Sequence, residues 1–254
     1  MHVLYICEMK KIVLLLLLTA LVACKVDDKD YTGKELIHKS IQAHGSPFLD
    51  QSTMEFKFRG TQYEATRNKG MFQYSREFIQ DSLRIKDVLS NNKKERYIND
   101  SLITVADSLL NGYASSLNSV VYFAQLPYSL DGDAIISKKI GIDTILNNKY
   151  YEIKVTFKEE GGGEDHDDVF VYWINKDNYL IDYLAYSYCE EECGYRFRES
   201  VNRRTVNGVI IQDYKNYKAV KTNPDLLQMD DLFEKGQLEL VSEIKTEQVK
   251  LTLD

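Results

Sequence analysis

Cys189 and Cys193 enclose three consecutive glutamates, and two thiols at that spacing can close a disulfide, stay reduced, or supply half of a metal site. A structural zinc asks for a second pair of ligands, and no second cysteine pair follows. Glu164, Asp165, Asp167 and Asp168 surround His166 after the run Gly161-Gly162-Gly163, which fits either a divalent-cation or basic-partner contact or a solvated hairpin loop. Calcium-loop spacing is absent and the glycines impose no geometry, so no metal ligand is assigned. His44 falls on the inward stripe of an expected helix, as a base or as a histidine that complements the helix end. Arg196, Arg198, Arg203 and Arg204 form a basic cluster in an acidic chain. They suit an anionic headgroup, with Arg196 and Arg198 as the polar candidates, or cross-strand ion pairs to Glu199 and Asp213. No G-x-S-x-G elbow, H-E-x-x-H pair, Walker loop or dinucleotide fingerprint occurs, so a non-enzymatic chain without a cofactor is expected. Two-carboxylate hydrolysis carries no motif, which leaves an unrecognised hydrolase as the remote alternative.

The elements that position these groups begin with an address. Met9-Lys10-Lys11 and the apolar run Ile12 to Leu18 make the n-region and h-region of a secretion signal, short of the ~20 residues of a membrane span. Leu21-Val22-Ala23-Cys24 resembles the bacterial lipobox, so Cys24 is the expected lipidation site and the membrane the expected partner, through acyl chains such as palmitate. Residues 1–23 are then the signal peptide, with 1–8 read as an upstream extension of a misassigned start. Residues 24–31 are a tether and 32–254 a single domain. Lys25 lacks the aspartate that retains lipoproteins at the inner membrane, which favours the outer membrane, facing either periplasm or cell surface. The acidic Val26–Asp30 reads equally as a surface-export signal or a solvated linker. In this oxidising setting a Cys189–Cys193 disulfide leads the three readings.

Only 3 prolines and 18 tyrosines among 254 residues suit a mainly β body. The net charge of −7, without a basic tract, argues against nucleic acid as a partner. Val169–Tyr188 reads as two long strands folded through Asn175–Asn178, the first apolar on both faces and so needing a second cover. Thr32-Gly33-Lys34-Glu35 has capping-box form and opens a helix that Gly45 ends. From Thr53 the pattern turns to period two with recurrent turn signals, Asn207-Gly208 being the strongest hairpin. The stripe Ala106, Leu109, Leu110, Tyr113, Leu117, Val120, Val121 and Ala124 predicts a helix across the sheet, and Asn223-Pro224-Asp225 starts a third that Gly236 stops.

About eleven antiparallel strands would have to curl, giving a mainly β (α+β) open half-barrel wrapped around two or three helices. With the capped helix ending Ala43-His44-Gly45 and the hairpin arm Val171–Lys176, this layout resembles the LolA/LolB-like lipoprotein-carrier superfamily over 32–254. Tyr186-Ser187-Tyr188, Tyr195–Glu199, Asn202-Arg203-Arg204 and Gln212-Asp213-Tyr214 look like an uncharacterised family of Bacteroidetes lipoproteins related to that fold. The resemblance implies a tethered, monomeric protein holding a lipid, an acyl chain (including that of a lipoprotein) or another apolar ligand between sheet and helices. The alternative is a surface module presenting tyrosines to a glycan or protein. Candidate cavity residues are Phe56, Phe58, Tyr63, Phe72, Leu110, Tyr113, Leu117, Val121, Trp173 and Tyr183.

Overall fold

The computed structural model describes residues 30–160, 167–189, 193–220 and 223–253, without the side chains of Cys189 and Cys193. Cys24 and His166 lie outside these residues, and so does the side-chain pairing of the two cysteines. Two open antiparallel sheets of seven strands each make up the body. The first has the order β14-β1-β2-β3-β4-β5-β6 and the second β13-β12-β11-β10-β9-β8-β7. In chain order the first sheet comprises β1 (Gln51–Phe58), β2 (Thr61–Asn68), β3 (Met71–Gln80), β4 (Leu83–Ser90), β5 (Lys94–Ile98) and β6 (Ser101–Ile103), closed by β14 (Glu247–Leu253). The second comprises β7 (Ile135–Ile145), β8 (Asn148–Phe157), β9 (Val169–Asn175), β10 (Ile181–Cys189), β11 (Cys193–Val206), β12 (Val209–Ala219) and β13 (Leu238–Ile244). Fourteen strands stand where turn signals lead one to expect about eleven, because pieces as short as β5 and β6 leave no readable period. The sheets meet where β13 turns through Lys245 and Thr246 into β14, each strand pairing with its own sheet.

Three α-helices accompany the sheets among the described residues: α1 (Gly33–Ala43), α2 (Asp107–Ala124) and α3 (Met229–Glu234). The capping box forms as expected, the Glu35 amide donating to Thr32 Oγ1 at 3.2 Å and the Thr32 amide to Glu35 Oε2 at 2.8 Å. After α1 the chain turns through Gly45 at φ +70°, in contact with the Asn207-Gly208 hairpin, whose residues take the positive φ of 46° and 86° that a tight turn requires. A Cβ on Gly45 would stand 2.0 Å from the Gly208 carbonyl oxygen, so this close approach admits glycine alone. The Ile210 amide then donates to the His44 carbonyl at 2.8 Å, docking the helix end on β12.

Helix α2 lies against β3, β4 and β5 of one sheet and β12 of the other. Its Leu117 and Val121 are fully buried in a cluster with Met54, Phe56, Tyr63, Tyr74 and Ile211. The expected stripe is buried only in its later turns, since Ala106 and Leu109 are exposed and Leu110 half-buried. The third helix is shorter than its sequence signals suggest. Asp225, rather than Asn223, caps a 3-10 turn at Leu226–Gln228 by accepting from the Leu227 amide at 3.0 Å, and α3 follows.

The doubly apolar strand β9 receives the two covers it asked for. Val171 and Trp173 sit under α3 in a second cluster with Tyr150, Tyr183, Phe197 and Met229, while Phe170 and Tyr172 on the opposite face meet Tyr122 of α2. Each large side chain buried this way contributes roughly 1.5–3 kcal/mol.

Candidate functional site

Between the polar side of α2 and one face of the second sheet runs an open groove of about 1160 Å³. Its helix wall combines Ser115, Ser116 and Ser119, residues that helical spacing places off the buried stripe, with Tyr122 and Phe123. Its floor is aromatic, because alternate residues of adjacent strands point to one face: Phe157 on β8, Phe170 on β9, and Tyr186 and Tyr188 on β10. Ring centroids stand 5.8 Å apart for Phe157 and Phe170 and 5.3 Å for Phe170 and Tyr186, so the rings form a row across three strands. Asp133, Lys158, Glu160 and Asp168 add charges to the lining.

At the end of that row stands Arg198 of β11. The Arg198 side chain borders both this groove and a neighbouring apolar cavity of about 100 Å³, the two sharing Ser119, Phe123 and Arg198 in their walls. Only 7% of Arg198 is exposed. Its Nη2 donates to the Tyr186 hydroxyl at 2.7 Å, and its guanidinium lies 3.8 Å from the Phe123 ring centroid. The Nε and Nη1 atoms have no hydrogen-bond partner. No carboxylate pairs with it among the described residues.

The rest of the arginine cluster is spoken for. Arg203 meets Asp182 at 2.5 Å, and Arg204 meets Asp213 at 3.1 Å. Glu199, adjacent in sequence to Arg198, sits on the other side of the sheet, where it accepts from Tyr217 at 3.0 Å and pairs with Lys215 at 3.4 Å. Arg196 shares the face of Arg198 but folds back, donating to the Tyr195 carbonyl at 2.8 Å, and lies 5.4 Å from the Tyr188 ring. Arg196 lines neither cavity.

The structure divides the apolar candidates. Phe56 and Phe58 line the small cavity. Tyr63 stacks on Phe56 at 5.1 Å, Phe72 lies against Tyr74 at 4.7 Å, and Leu117 and Val121 fill the core beneath α2. Leu110 is half-buried on α2, and Tyr113 lies under the Arg96 guanidinium at 3.3 Å. Trp173 and Tyr183 lie on the α3 side of the sheet, packed with Phe197, and so face away from the groove. The serines of α2 carry no mark in the sequence beyond lying off the apolar stripe, and here they form part of a wall.

His44 is a core residue. It is fully buried, with Nδ1–H donating to the Ser40 carbonyl at 2.9 Å and Nε2 without a partner. Burial pulls its pKa down to about 4, with Arg203 acting the same way and the Ser40 bond opposing. Beneath α3, burial raises Glu152 to about 7, aided by like charge on Asp143 and Asp225. Asp230 is also raised, by burial and by a hydrogen bond shared with Asp143. Among the described residues no group of three or more histidine, cysteine or acidic side chains could hold a metal ion, and no helix is long and apolar enough to cross a membrane.

Comparison with solved structures finds a LolA superfamily protein from Nitrosomonas europaea at 8% identity and a TM-score of 0.47, covering 87% of this chain and 92% of that one. A DUF1329 family protein from Desulfovibrio piger is 11% identical at a TM-score of 0.43, covering 86% and 92%. The lipoprotein LppX of Mycobacterium tuberculosis is 9% identical at 0.29, covering 60% and 86%. A search of the curated proteins finds no match. A family model matches residues 10–246, and the chain belongs to that family, described as a family of unknown function (DUF6503).

Proposed function

We propose that the protein is a non-enzymatic, membrane-tethered envelope lipoprotein that holds an apolar or amphiphilic ligand between α2 and the second sheet. One observation carries the reading: an open groove of about 1160 Å³ with a floor of aromatic rings on three adjacent strands. Small-molecule sites generally span roughly 300–1,000 Å³ and combine apolar walls with a few polar groups. A groove somewhat larger than that range suits an extended chain such as a lipid or a lipoprotein acyl group. The tether assigned to Cys24 would keep such a carrier at the outer membrane, and the carrier would act as a monomer.

Lipid extraction and mass spectrometry of gently purified protein should find a copurifying lipid, and Nile red should bind with saturation. Ser115→Trp and Ser119→Trp each place an indole in the groove and should weaken that binding several-fold without moving the urea midpoint. Undiminished binding in both variants, or no binding by the wild type, refutes the reading. Incorporation of labelled palmitate, lost in Cys24→Ala, checks the tether independently.

A further inference from the structure

We infer that the groove's ligand is an anionic amphiphile, with a carboxylate or phosphate head held by Arg198 and a tail laid along Tyr186, Phe170 and Phe157. This assignment rests on the groove reading above and adds the chemical class of the ligand.

Arg198 is a positive charge taken out of water, and such a charge is normally paired and fully hydrogen-bonded. Here one of its three nitrogens donates to Tyr186 and the other two have no partner. Arg67 provides the internal comparison. It is equally buried, donates through Nη2 to the Tyr74 hydroxyl at 2.6 Å, and lies 4.2 Å from the Tyr128 ring, but borders neither cavity. Aromatic shelter alone therefore suffices to bury an arginine in this fold. Arg198 differs in its position, at the junction of an apolar cavity and an open groove, at the head of an aromatic row. A guanidinium fork presented to a planar carboxylate or a phosphate makes short, charge-assisted bonds that Lys cannot reproduce bidentately. Phe123 covers this fork at 3.8 Å, so ligand entry turns that ring aside and exposes the donors.

Length-matched probes separate head from tail: laurate, dodecyl phosphate and dodecanol titrated into the full chain by Nile red displacement, with inorganic phosphate as the tail-free control. Wild type should prefer at least one anion over the alcohol by about tenfold or more. The better of laurate and dodecyl phosphate identifies the head as carboxylate or phosphate. Arg198→Met should abolish the preference and keep the alcohol's affinity, Arg198→Lys should keep part of it, and Arg67→Met should leave it unchanged. Phe123→Ala uncovers the guanidinium and should increase the preference, which keeps the test decisive if Arg198→Met fails to fold. Equal binding of all three dodecyl probes by wild type overturns the head assignment while the groove reading stands. Failure of all three to bind removes the groove reading as well. Displacement by inorganic phosphate at the concentrations at which dodecyl phosphate acts would overturn the amphiphile in favour of a free-anion site.

Discussion

Replacing Glu152 by Gln should stabilise the protein at pH 8 and leave it nearly unchanged at pH 4. Glu152 faces the third helix from β8, opposite Trp173 in the sheet register, and its Oε1 has no hydrogen-bond partner. In the unfolded chain the group titrates near 4.5, whereas burial beside Asp143 and Asp225 raises it to about 7 in the fold. Between those values the unfolded chain has released its proton and the folded one retains it. Stability is therefore full below pH 4.5, falls as pH rises, and levels off above 7. One pH unit corresponds to about 1.4 kcal/mol, so the window sets a ceiling of about 3 kcal/mol, and partial solvation under a helix of one and a half turns reduces the expectation to about 1–2 kcal/mol. Asp230 contributes in the same direction, so the Glu152→Gln variant retains some pH dependence of its own. Urea unfolding followed through Trp173, the single tryptophan, reports directly on this region. The difference between Glu152→Gln and wild type should open between pH 4.5 and 7. A difference that stays constant from pH 4 to 8 would refute the assignment of a raised carboxyl at this site.

His44 should impose the opposite slope. Its folded pKa of about 4 lies below the ordinary 6.5, so its contribution is complete above pH 6.5 and is lost as pH falls toward 4. His44→Gln should flatten that acid limb, by about 1–3 kcal/mol across the window, in the same urea titrations. Gly45→Ala should cost about 3 kcal/mol or more, since it combines a left-handed φ with a 2.0 Å approach to the Gly208 carbonyl oxygen, and thermal melts will show the loss.

Local signals proved readable where one short stretch contains its own partner. The Thr32 and Glu35 box and the Asn207-Gly208 turn are both complete within four residues, and both form. The doubly apolar β9 correctly demanded two covers, although only the structure shows that the Trp173 side belongs to α3 and the Phe170 side to the groove. Ala106, the N-cap of α2, and Leu109 in its first turn are in phase with the stripe, yet both stay exposed. The solitary condition of Arg198 was illegible, because Glu199 stands next to it and Asp213 lies in the adjoining strand. Strand alternation sends Glu199 to the opposite face, and Arg204 occupies Asp213. Recognising an unpaired charge requires knowing where every rival has gone, which is a property of the assembled sheet.

The turn through Lys245 and Thr246 acts as the spine of a book. Its two leaves hold together at this line through side chains: Arg204 reaches the Thr246 carbonyl, Asp213 accepts from the Thr246 amide at 2.9 Å, and Asn207 donates to the Leu251 carbonyl at 2.7 Å. Because β13 and β14 pair with different neighbours, every ladder stays within one leaf, and what joins the leaves is this handful of bonds together with the shared core in which Val209 and Ile211 of one meet Met54 and Phe56 of the other. Helix α2 rests across the fold of the pages, against β3, β4 and β5 of one leaf and β12 of the other, so the wall of the groove is fixed by both leaves at once.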